Sequence, residues 1–189
     1  MTKEFLEKLR KLEKSYFTLA DLEKIWSGKR ESLKVILSRL TKRGELKRIQ
    51  KNVYFLPGAE IEIEKIANEI YFPSYLSFES ALSKWGILSQ IPYSLTFATT
   101  LKTKRVEIEN ITIEYRKIKE ELFFGYTLLK GVWVAKPEKA LCDTFYLVSL
   151  GKLKFNFENL DLRKIQKNNF FKLIKKYPLK TQKLAKEFL

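Results

Sequence analysis

Between positions 29 and 43 the chain carries Lys29, Arg30, Ser32, Lys34, Ser38, Arg39, Lys42 and Arg43. Guanidinium and ammonium groups bond phosphate oxygens or the O6/N7 edge of guanine, and serine hydroxyls bond bases or backbone. A second polar set follows at once: Lys47, Arg48, Lys51, Asn52 and Tyr54. A charge run by itself is usually a solvated helix face. The elements that carry these residues decide between the two readings.

Other chemistry has little to work with. The chain has no His, which removes the commonest general base and metal ligand. Its one cysteine, Cys142, lies in the apolar run ALCDTFY and is expected to be a small core residue. One cysteine makes neither a disulfide nor a zinc site. The seven glycines are scattered and form no phosphate loop. The three aspartates, Asp21, Asp143 and Asp161, are far apart, unlike the paired aspartates of a nucleotidyltransferase. Glu114, Glu138 with Lys139, and Asp143 are the candidates for a metal-dependent nuclease. A plainer account covers two of them. Glu138 follows Pro137 in the first turn of a helix, where the macrodipole favours a carboxylate. Asp143 and Lys139 are four apart, which suits a surface or interdomain salt bridge. The expectation is therefore no catalysis, no cofactor and no metal.

The basic residues sit in a recognisable order of elements. Phe5, Leu6, Leu9 and Leu12 mark one face of a helix over 3–14. Thr18 and Asp21 have capping-box spacing and open a short helix to about Trp26. Ser27-Gly28 breaks it. Leu33, Ile36, Leu37 and Leu40 give a third helix over 29–43, and Gly44 stands where a C′ glycine stops it. Strand-like runs at 45–49 and 53–56 are joined by Gln50-Lys51-Asn52, a hairpin turn. Pro57-Gly58 closes the unit. Three helices and a hairpin in 58 residues is the winged helix-turn-helix order, with the third helix placed for the major groove and the hairpin for the backbone.

The rest has a different character. Ile61, Ile66 and Ile70 suggest a helix over 60–72, and 77–84 a second. From 94 to 134 the runs SLTFATTL, RVEIEN, ITIEYRKI, LFFGY and GVWVA alternate as half-buried antiparallel strands do. A helix from Pro137 reaches about Leu150, and 152–189 reads as short basic helices. The aromatics Tyr71, Phe72, Tyr75, Phe78, Trp85, Phe123, Phe124, Tyr126 and Trp133 are expected mainly as core, with a ligand pocket as the alternative. The class is α+β: a winged helix over 1–58, then a mixed domain over 59–189 with an antiparallel sheet flanked by helices.

Charge divides along the same line. Residues 1–58 hold 15 Lys+Arg against 7 Asp+Glu, net +8; residues 59–151 hold 11 against 12, net −1; residues 152–189 hold 11 against 3, net +8. Such ends attract polyanions. In the tail, Lys164, Lys167, Lys172, Lys175 and Lys176 are expected to be exposed, extending a DNA footprint, binding a protein or RNA partner, or forming a solvated face. No apolar run approaches a transmembrane span or a signal peptide, so no membrane partner is expected and the cytoplasm is the expected compartment.

Residues 17–58 resemble the N-terminal winged helix of the AbiEi antitoxin family of type IV toxin–antitoxin systems. Pro73-Ser-Tyr-Leu-Ser-Phe-Glu-Ser-Ala-Leu-Ser-Lys-Trp-Gly86, Ile91-Pro92, Leu122-Phe-Phe-Gly-Tyr126 and Ala135-Lys-Pro-Glu-Lys-Ala-Leu-Cys-Asp143 resemble that family's C-terminal domain. The resemblance covers about 15–150. It implies a repressor and antitoxin that binds inverted repeats in duplex DNA at its own operator, as a homodimer there, and whose functional partner is a nucleotidyltransferase-like toxin. The alternative is a protein- or RNA-interaction module with secondary DNA contact.

Overall fold

Leucines three and four apart must leave water together, and burying them assembles the first part of the chain. The computed structural model describes residues 2–12, 14–58 and 62–188. Two units separate, Met1–Ile66 and Ala67–Leu189. In the first, the elements run α1 (Thr2–Lys11), β1 (Phe17–Thr18), α2 (Leu19–Ile25), α3 (Arg30–Lys42), β2 (Lys47–Gln50) and β3 (Val53–Phe55). Phe5 and Leu9 of α1, Leu22 of α2 and Leu33, Leu37 and Leu40 of α3 meet in one core with Phe17 and Trp26. Leu12, expected on the buried face of α1, is exposed because the helix ends at Lys11. Glu13, within the predicted helix, lies outside the described residues.

Local signals in this unit act as their chemistry requires. The Thr18 hydroxyl accepts from the Asp21 backbone N–H, and the Asp21 carboxylate accepts from the Thr18 N–H at 2.9 Å. Burial pushes the Asp21 carboxyl up. The Thr18 backbone, Lys14 and the Thr18 hydroxyl outweigh it and leave the group below its ordinary value. A carboxyl held low stabilises the fold fully above its unfolded pKa, and that contribution is lost as pH falls through the folded value. Thr18→Ala is expected to cost about 1 kcal/mol, and Asp21→Asn to flatten the acid limb of stability. Urea melts across pH 2–6 read both, and an unchanged acid limb in Asp21→Asn would refute the role given to the carboxylate.

β1 joins the hairpin to make a three-stranded sheet of order β1-β3-β2, antiparallel throughout. Two residues give no alternation to read, so β1 is invisible in the sequence. Asn52 turns the hairpin with φ +67, a conformation Asn tolerates, and its carbonyl accepts from the Leu19 N–H at 2.8 Å.

α4 (Ile63–Ile70) follows. Ile61, and residues 59 and 60 with it, lie outside the described residues. The second unit then runs β4 (Ser74–Leu76), α5 (Phe78–Lys84), β5 (Ser94–Thr99), β6 (Lys104–Ile108), β7 (Ile111–Lys117), β8 (Tyr126–Leu129), β9 (Val132–Ala135), α6 (Pro137–Ser149), α7 (Lys167–Ile174) and α8 (Leu179–Phe188). Its six strands lie in the order β6-β7-β5-β4-β9-β8.

The sheet is mixed, which corrects the antiparallel expectation. β5 pairs with β7 and β4 with β9 in parallel, while β4/β5, β6/β7 and β8/β9 are antiparallel. Alternation reports a half-buried strand and is blind to the direction of its neighbour. Direction is set by the route of the connection: the β6–β7 hairpin folds back so that β7, not β6, lies beside β5. Both hairpins close through two residues at positive φ, Glu109-Asn110 and Lys130-Gly131. That geometry matches the right-handed strand twist.

α6 is buried along nearly its whole length. α7 and α8 pack on it, and the Phe145 ring stacks on Phe157 at 4.4 Å and meets Phe170 edge-on at 6.0 Å. The basic tail is thus part of the second unit's core. Among the described residues no helix is long and apolar enough to cross a membrane.

Candidate nucleic-acid interface

α3 is divided lengthwise by burial. At about 100° per residue, Leu33, Leu37 and Leu40 share one direction, and all three are buried. Within about 60° of the opposite direction lie Glu31, Val35, Ser38, Arg39 and Lys42, all exposed. Lys34 and Ser32 flank this stripe, Arg43 lies beyond them, and Arg30 is farthest round. Among the described residues no ion pair or hydrogen bond engages the side chains of Lys34, Ser38, Arg39 or Lys42. Their donors face solvent uncommitted.

Other members of the predicted set are already engaged. Arg30 Nε lies 2.6 Å from Glu23. Arg43 lies 3.8 Å from Glu45. The Ser32 hydroxyl donates to the Lys29 carbonyl at 2.6 Å and accepts from Trp26 Nε1 at 3.1 Å, so it secures the turn before α3. Gly28 belongs to the same device: a Cβ there would sit 2.6 Å from Trp26 Nε1. Lys29 is the N-cap residue and offers no side-chain cap.

In the hairpin, Lys51 and Asn52 are exposed at the turn. Arg48 is exposed and its Nε donates to the Gln50 carbonyl at 3.1 Å. Lys47 is exposed with its ammonium 5.5 Å from the Phe55 ring centre. Tyr54 is corrected: at 9% exposure it belongs to the core cluster, because its strand turns it inward. Two residues of the outward stripe escape a reading based on charge, Val35 at 49% exposure and Glu31. The available signal was Val35's position off the leucine face.

A second concentration of polar groups lies inside the second unit. Asp143 and Lys139 are both 0% exposed. Their ion pair is buried, which corrects the expectation of a surface or interdomain bridge. Asp143 Oδ1 accepts from the Lys139 ammonium and from the Tyr177 hydroxyl at 2.8 Å. Oδ2 accepts from the Tyr75 and Ser77 hydroxyls, each at 2.9 Å. Lys139 also donates to Tyr177 at 2.6 Å and lies 4.8 Å from the Phe124 ring centre and 5.6 Å from that of Tyr75. Burial first, and the Asp143 charge second, push both phenols well up, so both remain donors. The Gly125 position closes the cage: a Cβ would come within 3.2 Å of Lys139.

The other nuclease candidates are separately engaged. Glu114 binds Arg116 at 2.8 Å, and Glu138 accepts from the Gln166 N–H at 2.9 Å. Among the described residues no group of three His, Cys, Asp or Glu is placed to hold a metal ion. Cys142 is buried, and burial pushes its thiol well up.

The aromatic set is split. Tyr75 and Phe78 are core, with Tyr75 stacked on Tyr126 at 4.6 Å. Phe72 is exposed, and Trp133 and Leu128 are paired and exposed on β9 and β8. In the tail, Lys167, Lys172 and Lys175 are exposed. Lys164 donates to the Gly86 carbonyl at 2.8 Å, and Lys176 lies 4.6 Å from the Phe124 ring centre.

No family model matches the chain, and no curated protein matches it. Among solved structures, the chain is similar to the crystal structure of the RV2827C protein from Mycobacterium tuberculosis, with a TM-score of 0.68 at 16% identity, over 97% of this chain and 74% of that one. At that identity the likeness is one of fold, and the fold is α+β.

Proposed function

We propose that the protein is a DNA-binding transcriptional regulator whose residues 1–58 act as a winged helix-turn-helix. The observation that carries this reading is the division of α3, with leucines fixed in a core on one side and uncommitted Ser38, Arg39 and Lys42 on the other. α3 enters the major groove. Arg39 and Lys42 reach guanine edges or phosphates, Ser38 bonds a base or the backbone, and Val35 offers its methyls to a thymine methyl. Lys51 and Asn52 at the hairpin tip lie along the flanking backbone. The reading is of a non-catalytic protein working in the cytoplasm, repressing its own operon and binding an inverted repeat as a homodimer.

The finer proposal is that it is the antitoxin of a type IV system. Its support is the resemblance around Ala135-Lys-Pro-Glu-Lys-Ala-Leu-Cys-Asp143. A nucleotidyltransferase-like toxin encoded beside it would be the functional partner, and co-expression that fails to neutralise such a neighbour would remove the antitoxin part alone. A second reading, a protein- or RNA-interaction module with secondary DNA contact, is favoured by Ile91 and Tyr93, which stand almost wholly exposed on either side of Pro92 in the sequence. A gel-shift titration of the upstream region against random DNA over a salt series separates the two. A regulator prefers its own promoter and loses affinity steeply with salt; equal affinity for both sequences favours the module.

A further inference from the structure

The sheet of the second unit ends on β6 at one side and on β8 at the other. Both strands belong to hairpins with two-residue turns. In such a hairpin the residues flanking the turn bond across the ladder, and every second residue points its N–H and C=O away from the partner strand. On β8 this phase can be read directly. The Gly125 carbonyl accepts from the Lys136 N–H at 3.0 Å, in step with Thr127 and Leu129. Trp133, opposite Leu128, gives its N–H to Asn68 Oδ1 at 2.7 Å instead of to β8. The backbone groups that face outward on β8 are therefore those of Tyr126 and Leu128. On β6 the same phase selects Arg105 and Glu107.

The two edges are thus protected differently. Charged side chains on an edge strand guard it against pairing. β6 carries them, whereas β8, Tyr126-Thr-Leu-Leu129, carries none. One face of β8 is also apolar and open. Leu128 is 55% exposed and its cross-strand neighbour Trp133 is 37% exposed. The Trp133 ring meets the Tyr126 ring edge-on at 5.6 Å, so the three share that face. Among the described residues no strand pairs with the outer side of β8.

Charge indicates what covers it. With a net charge of +15, two copies of the chain repel each other. The repulsion is least where charge is scarce. Residues 59–151 carry a net charge of −1, and from Gly125 to Ala135 the one charged residue is Lys130, at the hairpin tip. β8 also complements itself. Run antiparallel to its own copy across a two-fold axis, it sets Tyr126 opposite Leu128 and Thr127 opposite Thr127. The outward backbone groups of the two strands then bond each other. Leu128 comes to lie between Trp133 of its own chain and Tyr126 of the other copy. We propose that two copies of this chain join β8 to β8, so that two six-stranded sheets become one. A contact that uses the same patch on both copies closes at the dimer. It supplies a dimer suited to an inverted repeat, but it is argued without the DNA reading and tested without DNA.

Sedimentation equilibrium of the full chain is expected to show a reversible dimer of twice the 22.4 kDa chain mass. Leu128→Pro removes an outward donor and leaves the β8–β9 ladder intact, and Leu128→Lys places a charge on the edge. Each weakens the dimer by about tenfold or more, because the two-fold repeats the loss. Circular dichroism checks that both variants fold. Thr127→Cys tests the register. An unbonded antiparallel pair has Cα atoms about 4.5 Å apart, within the reach of a disulfide, so mild oxidation yields a covalent dimer, while Cys142 is buried and does not compete. Glu107→Lys on β6 and Arg39→Ala/Lys42→Ala on α3 leave the dimer unchanged, so this proposal and the DNA reading fail separately. A chain that stays monomeric to about 100 μM would overturn the proposal and leave the edge to an extended segment of another protein. A dimer that survives both Leu128 variants, that Glu107→Lys dissolves, or in which Thr127→Cys does not cross-link would overturn it too. So would growth beyond the dimer, which would mean β8 pairing with β6 in an open chain.

Discussion

Arg39→Ala/Lys42→Ala is expected to weaken binding to the upstream DNA by about 2–6 kcal/mol, since each base-edge or phosphate bond removed costs about 1–3 kcal/mol. Both side chains project from the exposed stripe of α3, and neither is tied to another group of the protein. The double variant should therefore keep the stability of the parent while binding DNA more weakly. Arg30→Ala is the internal control. Its guanidinium is held 2.6 Å from Glu23 and lies farthest from the stripe, so its removal should change affinity little. Gel-shift titration at fixed salt ranks the variants. If Arg30→Ala weakens binding as much as Lys42→Ala, α3 does not present the stripe described. A phosphate-bonding cation also reveals itself in the salt dependence, whose slope falls by about 1 for each such cation removed. If Arg39 instead bonds a base edge, its removal relaxes sequence preference at that base pair.

The second large effect concerns stability. Asp143→Ala is expected to destabilise the second unit by about 3–5 kcal/mol, the range for breaking a buried ion pair by removing one partner. The reason is what is left behind. Lys139 would be a buried ammonium with the Tyr177 hydroxyl as its remaining hydrogen-bond partner, and the Tyr75 and Ser77 hydroxyls would be without their acceptor. Adding Lys139→Met removes the orphaned charge and should recover much of the stability, because a buried pair replaced on both sides is often near neutral. Urea denaturation of the single and double variants gives the coupling between them. A single variant as stable as the parent would mean that the cage contributes no stability. The same cage explains the spacing of the 135–143 motif. Pro137 starts α6, and the four-residue step from Lys139 to Asp143 sets both groups on the helix face that meets Tyr75, Ser77 and Tyr177.

Much of the first unit was legible residue by residue. Leu33, Leu37 and Leu40 mark a buried face because helical spacing and the removal of apolar surface from water act locally. Thr18 and Asp21 mark a helix start because the cap bonds close within four residues. Charge along the chain was likewise enough to single out 29–43. It was too coarse to sort that set. Arg30, Ser32 and Tyr54 have the right chemistry on paper, but Glu23, Trp26 and the core take them, and Glu23 is seven residues from Arg30 and Trp26 six from Ser32.

In the second unit the sequence determined that strands and helices exist and roughly where. Only the tertiary structure decided their directions and depths. β5 and β7 are parallel because a hairpin folds back between them in space, a route that no alternation of apolar and polar residues records. Lys139 and Asp143 have the spacing of a surface pair, and the spacing is the same when both are buried. Burial followed from Tyr75 on β4, Ser77 at the start of α5 and Tyr177, 34 residues beyond Asp143, which supply the hydrogen bonds a charged pair needs away from water.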